Sequence, residues 1–289
     1  MMYALHLCVM LGLYGILALA ANLVVGYGGL ISLATAMFYG LGAYLHAILT
    51  VNAGWPFLAA LPTAIAASAL IGGLSACLLL RFRGETFTVS TMAMQTIAFA
   101  LFYNWTDLTG GPYGFPDIPR PEIFGAGFDS PAAFCALTLG LAAAAIAAIT
   151  LFSKTRCALS LRALRDDESA AKTLGVAPWR IFAIAFVSMA MLAAMSGALF
   201  AAYVAYVDPT GFTISESVLV LAMLIVGGSG NIKGPLTGAL LLTLLPEALR
   251  FANLSADIAA PLREIAYGIL LVVFMYLKPR GIAGDYAIR

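Results

Sequence analysis

Apolar residues run almost unbroken along this chain, and its elements are marked by the interruptions more than by any periodicity. Breaks at charge, glycine and proline separate nine apolar segments: about 3–25, 29–51, 56–80, 88–104, 131–152, 181–206, 217–232, 234–250 and 264–279. A helix needs about 20 apolar residues to cross the hydrocarbon of a bilayer. Segments apolar on every side, with no polar face, are what lipid selects. The pattern predicts an all-α polytopic membrane protein with about nine transmembrane helices (8–10), a single transmembrane domain over 1–289.

The stretch Gly227-Gly228-Ser229-Gly230-Asn231-Ile232-Lys233-Gly234-Pro235 interrupts one apolar region. Four glycines and a proline prevent one smooth helix there. A broken helix pair near 227–235, formed by Gly227, Gly228, Gly230, Gly234 and Pro235, is one reading; a tight turn between two short spans is the other, favoured by the turn chemistry. Gly12 with Gly15, Gly40 with Gly42 and Gly72 with Gly73 predict close helix approaches, as small residues allow in lipid. Gly26-Tyr27-Gly28-Gly29 reads as a flexible turn joining the first two spans. Near it lie polar Asn22, Ser32, Thr35 and Tyr39; the last three fall at i, i+3, i+7 and would share a helix face. They are candidates for a translocation path, or for hydrogen bonds to neighbouring helices. His6 and His46 sit near segment ends, where an interfacial position is expected.

Charge sharpens the picture. No Asp, Glu, Lys or Arg precedes Arg81 in this chain of 289 residues, which is 62% hydrophobic and 10% charged. A water-soluble surface requires far more charge, about 25% in ordinary domains. The net charge of +1 offers no basic face to phosphates, so no nucleic-acid partner is expected; the lipid bilayer is. Lys and Arg collect at Arg81 and Arg83, through 153–180, and at Lys278, Arg280 and Arg289. The loop 105–130 carries Asp107, Asp117, Glu122 and Asp129 against Arg120, and 207–216 holds Asp208 and Glu216. Basic loops stay in the cytoplasm. Alternating sides across the nine segments then puts the N-terminus outside, the C-terminus inside, loop 105–130 outside and loop 153–180 inside. The N-terminus has no basic flank before its apolar stretch and reads as a retained helix, not a cleaved signal. Cys8, Cys77, Cys135 and Cys157 form no CxxC pair or Cys/His cluster, so no metal site and no disulfide are expected.

In the basic loop, residues 159–176 predict a short amphipathic helix. Ser160 is placed to cap its start, Glu168 to pair with Lys172 at i, i+4, and Gly175 to end it. Leu161, Leu164, Ala171 and Leu174 give one apolar stripe. Asp166, Asp167 and Glu168 among the bases argue against headgroup binding, and small Ala170 and Ala171 suit docking on another protein.

Five stretches in this order carry a resemblance: Asn22–Tyr44, NLVVGYGGLISLATAMFYGLGAY; Arg81–Thr91, RFRGETFTVST; Thr109–Pro119, TGGPYGFPDIP; Leu161–Val176; and Ser196–Pro246, which includes GGSGNIKGP. Over nearly its whole length the chain resembles the permease subunits of ATP-binding-cassette (ABC) importers for branched-chain amino acids, of the LivM-like kind. The resemblance implies a permease subunit, one half of a pore completed by a LivH-like second permease. It further implies two cytoplasmic ABC ATPase subunits beneath and a periplasmic solute-binding protein above, in a bacterial inner membrane. Loop 153–180 would be the coupling loop seated in an ATPase, with Arg165, Asp166, Glu168, Ala170, Ala171 and Gly175 carrying the contact. ATP and Mg would belong to the partner ATPases: no G-x-x-x-x-G-K-[ST] phosphate loop occurs here, so neither a catalytic residue nor a cofactor is expected on this chain. The chain departs from the family at Ser32-Leu33-Ala34-Thr35, where Ser-Leu-Gly-His is frequent, and at Lys233, where an aromatic is. Relatives importing urea, short amides or aromatic acids share the scaffold and remain alternatives. An ion-coupled secondary transporter is a further one, although the first three spans lack the ionisable residues it would use.

Overall fold

The computed structural model describes residues 2–123, 126–128, 130–250, 256–278 and 281–284. Asp129, Arg280 and Arg289, used above to orient the chain, lie outside the described residues. α1 (Met2–Asn22) is apolar on all sides and runs without a break into a π-helical turn, Leu23–Tyr27. Residues 28–34 are not helical. α2 (Thr35–Ala47) continues into a second π turn, Ile48–Asn52, and α3 (Phe57–Leu79) and α4 (Glu85–Asn104) follow. The acidic loop holds the single-turn α5 (Thr106–Thr109) and two short strands, β1 (Glu122–Ile123) and β2 (Ala126–Gly127), paired antiparallel. α6 (Pro131–Ser153) opens with Ser130 as cap and Pro at its first position, where a missing N–H does no harm. The basic loop folds as α7 (Arg156–Asp166) and α8 (Glu168–Thr173). The long α9 (Pro178–Val204) leads to α10 (Ile214–Gly227), α11 (Lys233–Arg250) and α12 (Ala256–Leu277).

Each of the nine predicted segments contains a helix, but they are unequal. Among the described residues, five are long and apolar enough to cross a membrane: α1 with its π turn, α3, α4, α6 and α9. α2 has 13 residues, with 5 more in its π turn, and α10 has 14. At about 1.5 Å per residue they rise roughly 27 and 21 Å, short of a hydrocarbon layer of about 30 Å. The expected full-length helix over 29–51 is thus corrected to a non-helical stretch followed by a short helix. The acidic stretch 207–216, expected on the outer side, is folded against the bundle. Ala205 turns the chain at positive φ, Phe115 and Val207 pair as an antiparallel bridge, and Phe212 ends fully buried between helices. Glu216 lies in the first turn of α10, half-buried, accepting a 2.7 Å hydrogen bond from the Tyr14 hydroxyl of α1.

α1 and α9 form the buried centre, wrapped by the other helices. Of the predicted glycine pairs, Gly12, Gly40, Gly42 and Gly72 sit at close approaches, whereas a Cβ at Gly15 or Gly73 would make ordinary contact. A Cβ at Gly42 would fall 2.1 Å from the Ala194 carbonyl oxygen, one at Gly197 1.9 Å from that of Tyr39, and one at Gly72 2.8 Å from the Ala190 side chain. α2 and α3 therefore approach α9 at a separation only glycine permits. Around the α2–α9 crossing the rings of Tyr39, Tyr44, Phe102 and Phe212 interlock, with Tyr39 5.1 Å and Phe102 6.4 Å from Phe212. Outward-facing Leu70, Leu74 and Leu78 on α3, Val89, Ile97 and Leu101 on α4, and Leu139 and Leu151 on α6 leave an apolar perimeter that suits lipid. His46 is fully buried within the bundle beside the Phe57 ring, 5.3 Å away. His6 stacks on Tyr203, whose hydroxyl lies 2.8 Å from Nδ1. All four cysteines are free.

Candidate functional site

Two places gather the polar chemistry: the basic loop, and the broken backbone it rests on. In the loop the expected single helix is two. Thr155, not Ser160, caps the first, its hydroxyl accepting the Ala158 N–H at 3.3 Å; Ser160 lies within α7. Asp167 then leaves helical geometry (φ −154°), and its carboxylate accepts the N–H groups of Ser169 and Ala170 at 2.8 and 2.9 Å to start α8. An aspartate that caps so well competes with the helix it interrupts. Gly175 follows α8 at φ +83°, the left-handed stop that glycine supplies.

That break decides which side chains face out. Leu161, Leu164 and Ala171 are buried as one apolar stripe, but Leu174 is 84% exposed and is not part of it. Glu168 joins both basic clusters, with Lys172 at 2.9 Å and Arg83 at 3.4 Å. Burial alone would raise its carboxyl; the hydrogen bonds and charges of Lys172 and Arg83 outweigh that and hold it below the usual carboxylate range. Of the predicted coupling residues, Asp166, Ala170 and Gly175 are exposed, Glu168 is half-buried, and Ala171 is covered by its own chain. Arg165, with only 11% of its side chain exposed, turns inward: Nη1 donates to the Gly26 carbonyl at 2.8 Å, while Nε meets Asp166 at 3.1 Å.

The four candidate path residues are all buried. Asn22 Nδ2 donates to the Asn231 carbonyl at 2.7 Å, and its Oδ1 accepts from the Gly230 N–H at 3.1 Å. Ser32 precedes α2 and so shares no helix face with Thr35 and Tyr39; its hydroxyl accepts from the Ala34 N–H at 3.3 Å. Thr35 Oγ1 has no partner among the described residues, and the Tyr39 ring packs on Phe200 and Phe212.

Three side chains on α4 that sequence reading passed over hold this irregular backbone in place. Thr88 donates to the Ile31 carbonyl at 3.0 Å, Thr91 accepts from the Leu33 N–H at 3.1 Å, and Gln95 donates to the Phe212 carbonyl at 2.8 Å. Ser217 adds a fourth tie, accepting the Ala36 N–H at 2.9 Å. Freed backbone groups in an apolar bundle require such partners. The signal was present, since Thr88, Thr91 and Gln95 recur at i, i+3, i+7 within an apolar segment. Gly227, Gly228, Gly230, Gly234 and Pro235 form a tight helical hairpin: a Cβ at Gly227 would fall 2.0 Å from the Gly234 oxygen. Among the described residues no three of His, Cys, Asp and Glu come together to hold a metal ion.

An all-α bundle with a lipid-suited perimeter, helices broken inside it and a folded basic loop defines the class: a polytopic membrane protein. Within that class, residues 3–275 match the model of the permease component of branched-chain amino acid transport systems, and the chain belongs to that family. It is 34% identical to the high-affinity branched-chain amino acid transport system permease protein LivM of Salmonella typhimurium, over 93% of this chain and 67% of that one. To LivH of Escherichia coli K12 it is 25% identical over 94% and 91% of the two chains. An autoinducer 2 import system permease, LsrC of an Enterobacter species, is 29% identical over 71% and 60%. No solved structure matches the chain.

Proposed function

We propose that this chain is the LivM-type permease subunit of an ATP-driven importer for branched-chain or other hydrophobic amino acids in a bacterial inner membrane. The observation that carries this reading is the 34% identity to LivM across 93% of the chain, beside a weaker 25% to the sister subunit LivH. A LivH-like permease completes the pore, two ATPase subunits bind the basic end, and a solute-binding protein delivers amino acid at the acidic end. The N-terminus is outside and the C-terminus cytoplasmic, as the basic loops require. ATP and Mg reside on the ATPases.

In this reading α7 and α8 are the coupling element. Asp166, Ala170, Leu174 and Gly175 present an exposed, uneven surface to an ATPase, and Glu168 fixes it to the α3–α4 connection through Arg83. Inside the bundle, Asn22, Ser32 and Thr35 lie where helices stop short and backbone can be re-aimed as the pore opens to one side or the other, and Tyr39 follows on α2 among buried rings. The chain's own contribution is binding geometry and movement, not hydrolysis.

The test is affinity purification from native membranes in mild detergent with mass spectrometry. Stoichiometric recovery of a second permease and nucleotide-binding subunits is expected. A chain recovered alone, with transport insensitive to ATP depletion, refutes the importer reading.

A further inference from the structure

The inward turn of Arg165 gives it work that docking on an ATPase does not explain. Gly26, whose carbonyl it holds, lies in the π turn that ends α1, where carbonyls run out of helical partners and favour a cation. Residues 26–29 meet α7 throughout. The Arg162 guanidinium sits 4.9 Å over the Tyr27 ring; a Cβ at Gly28 would lie 3.4 Å from Leu161, and one at Gly29 2.6 Å from Arg165. On its other side Gly26 has no clearance: its Cβ would fall 1.8 Å from Asn22 Oδ1 and 2.7 Å from the Gly230 nitrogen. Asn22 grips Gly230 and Asn231 of the α10–α11 hairpin. The hairpin in turn receives the C-terminal segment, where Asn231 Nδ2 donates to the Ala283 carbonyl and the Ile282 and Ala283 N–H groups bond Val226 and Gly227 at 3.0 and 2.9 Å.

We propose that Arg165 is a positioning residue that transmits movement of α7 through Gly26 and Asn22 to the α10–α11 hairpin. The inference rests on the reading of α7–α8 as the coupling element. A π turn is a helix end able to change register, so displacement of α7 drags the Gly26 carbonyl and shifts the hairpin with it. Asn22, a candidate path residue, is in this account the link between the two ends of the movement and does not line the path.

The experiment uses the assembled transporter in proteoliposomes with its binding protein, reading radiolabelled leucine taken up per ATP hydrolysed. Recovery of ATPase subunits with the wild-type chain is read first. Their absence overturns the importer reading and the inference together. With assembly established, Arg165→Met keeps the ATPases bound while uptake per ATP falls about tenfold, equivalent to about 1.4 kcal/mol. Arg165→Lys, which can still reach a carbonyl with one donor, recovers part of the loss. Asn22→Ala gives the same defect, and the double variant is no worse than either single one, because the two act in series. An unchanged ratio in Arg165→Met, additive losses, or loss of the ATPases from the variant alone would each overturn the inference. So would a drop in melting temperature with the ratio intact, which marks a structural brace.

Discussion

Gly42→Ala tests the packing logic of the bundle most directly. Its added methyl would stand 2.1 Å from the Ala194 carbonyl oxygen, 2.4 Å from the Ala194 Cα and 2.6 Å from its carbonyl carbon, all backbone atoms. No rotamer change relieves that contact. Ordinary van der Waals contact begins at 3.4 Å, so α2 and α9 must part by about 1 Å or more. The separation would be felt at Gly197, on the same crossing, and by the aromatic cluster of Tyr39, Phe200 and Phe212. Overpacking of this kind costs up to about 3 kcal/mol, offset by about 1 kcal/mol of helix propensity gained by alanine. The net expectation is a loss of about 2 kcal/mol, roughly thirtyfold in the folding equilibrium. Gly140→Ala on α6 is the matched control, because a Cβ there meets nothing within 4 Å. It should stabilise by about 0.5–1 kcal/mol through propensity alone. Equilibrium unfolding of both variants in the same detergent decides the matter. If Gly42→Ala proves as stable as Gly140→Ala, the α2–α9 contact is not the tight crossing described, and the argument fails.

Other expectations follow from named contacts. Asn22→Ala removes both side-chain bonds to the hairpin and leaves the Gly230 N–H and Asn231 carbonyl unpaired, a loss of about 3 kcal/mol in the same unfolding assay. Gln95→Leu frees the buried Phe212 carbonyl and should cost about 1–3 kcal/mol; a neutral result would mean the 205–213 segment is held some other way. Glu168 has a depressed carboxyl, so its stabilising pairs are fully present above the ordinary glutamate range near pH 4.5 and are lost as pH falls through the depressed value. Glu168→Gln should therefore flatten the loss of stability below about pH 4.5, and unchanged acid sensitivity there would contradict the pairing. Glu168→Lys and Gly175→Leu should uncouple uptake from ATP hydrolysis with the protein still in the membrane. The second also strains the φ +83° position by about 1 kcal/mol, and normal transport in either would remove α7–α8 from the coupling role.

Much of this was legible in the residues because lipid is a severe solvent. A chain without a formal charge before Arg81 has nowhere else to fold, and helices are the structure that satisfies its backbone there. The positions of the nine segments, the role of Gly42 and Gly72 in close packing, the Glu168–Lys172 pair and the stop at Gly175 all follow from local rules: apolar length, Cβ volume, i, i+4 spacing and left-handed φ. What local rules could not decide was which backbone goes unpaired, and what repairs it. Residues 28–34 stay out of a helix because Thr88 and Thr91 on α4 offer hydrogen bonds from 57 and 58 positions away, and Phe212 turns inward because Gln95 and four rings receive it. Arg165 reads as a surface charge on an amphipathic helix until α1 places the Gly26 carbonyl within 2.8 Å of it. Side-chain burial and composition are properties of a segment, and the sequence states them. Where a carbonyl finds its donor depends on a partner far along the chain, and only the assembled bundle brings the two together.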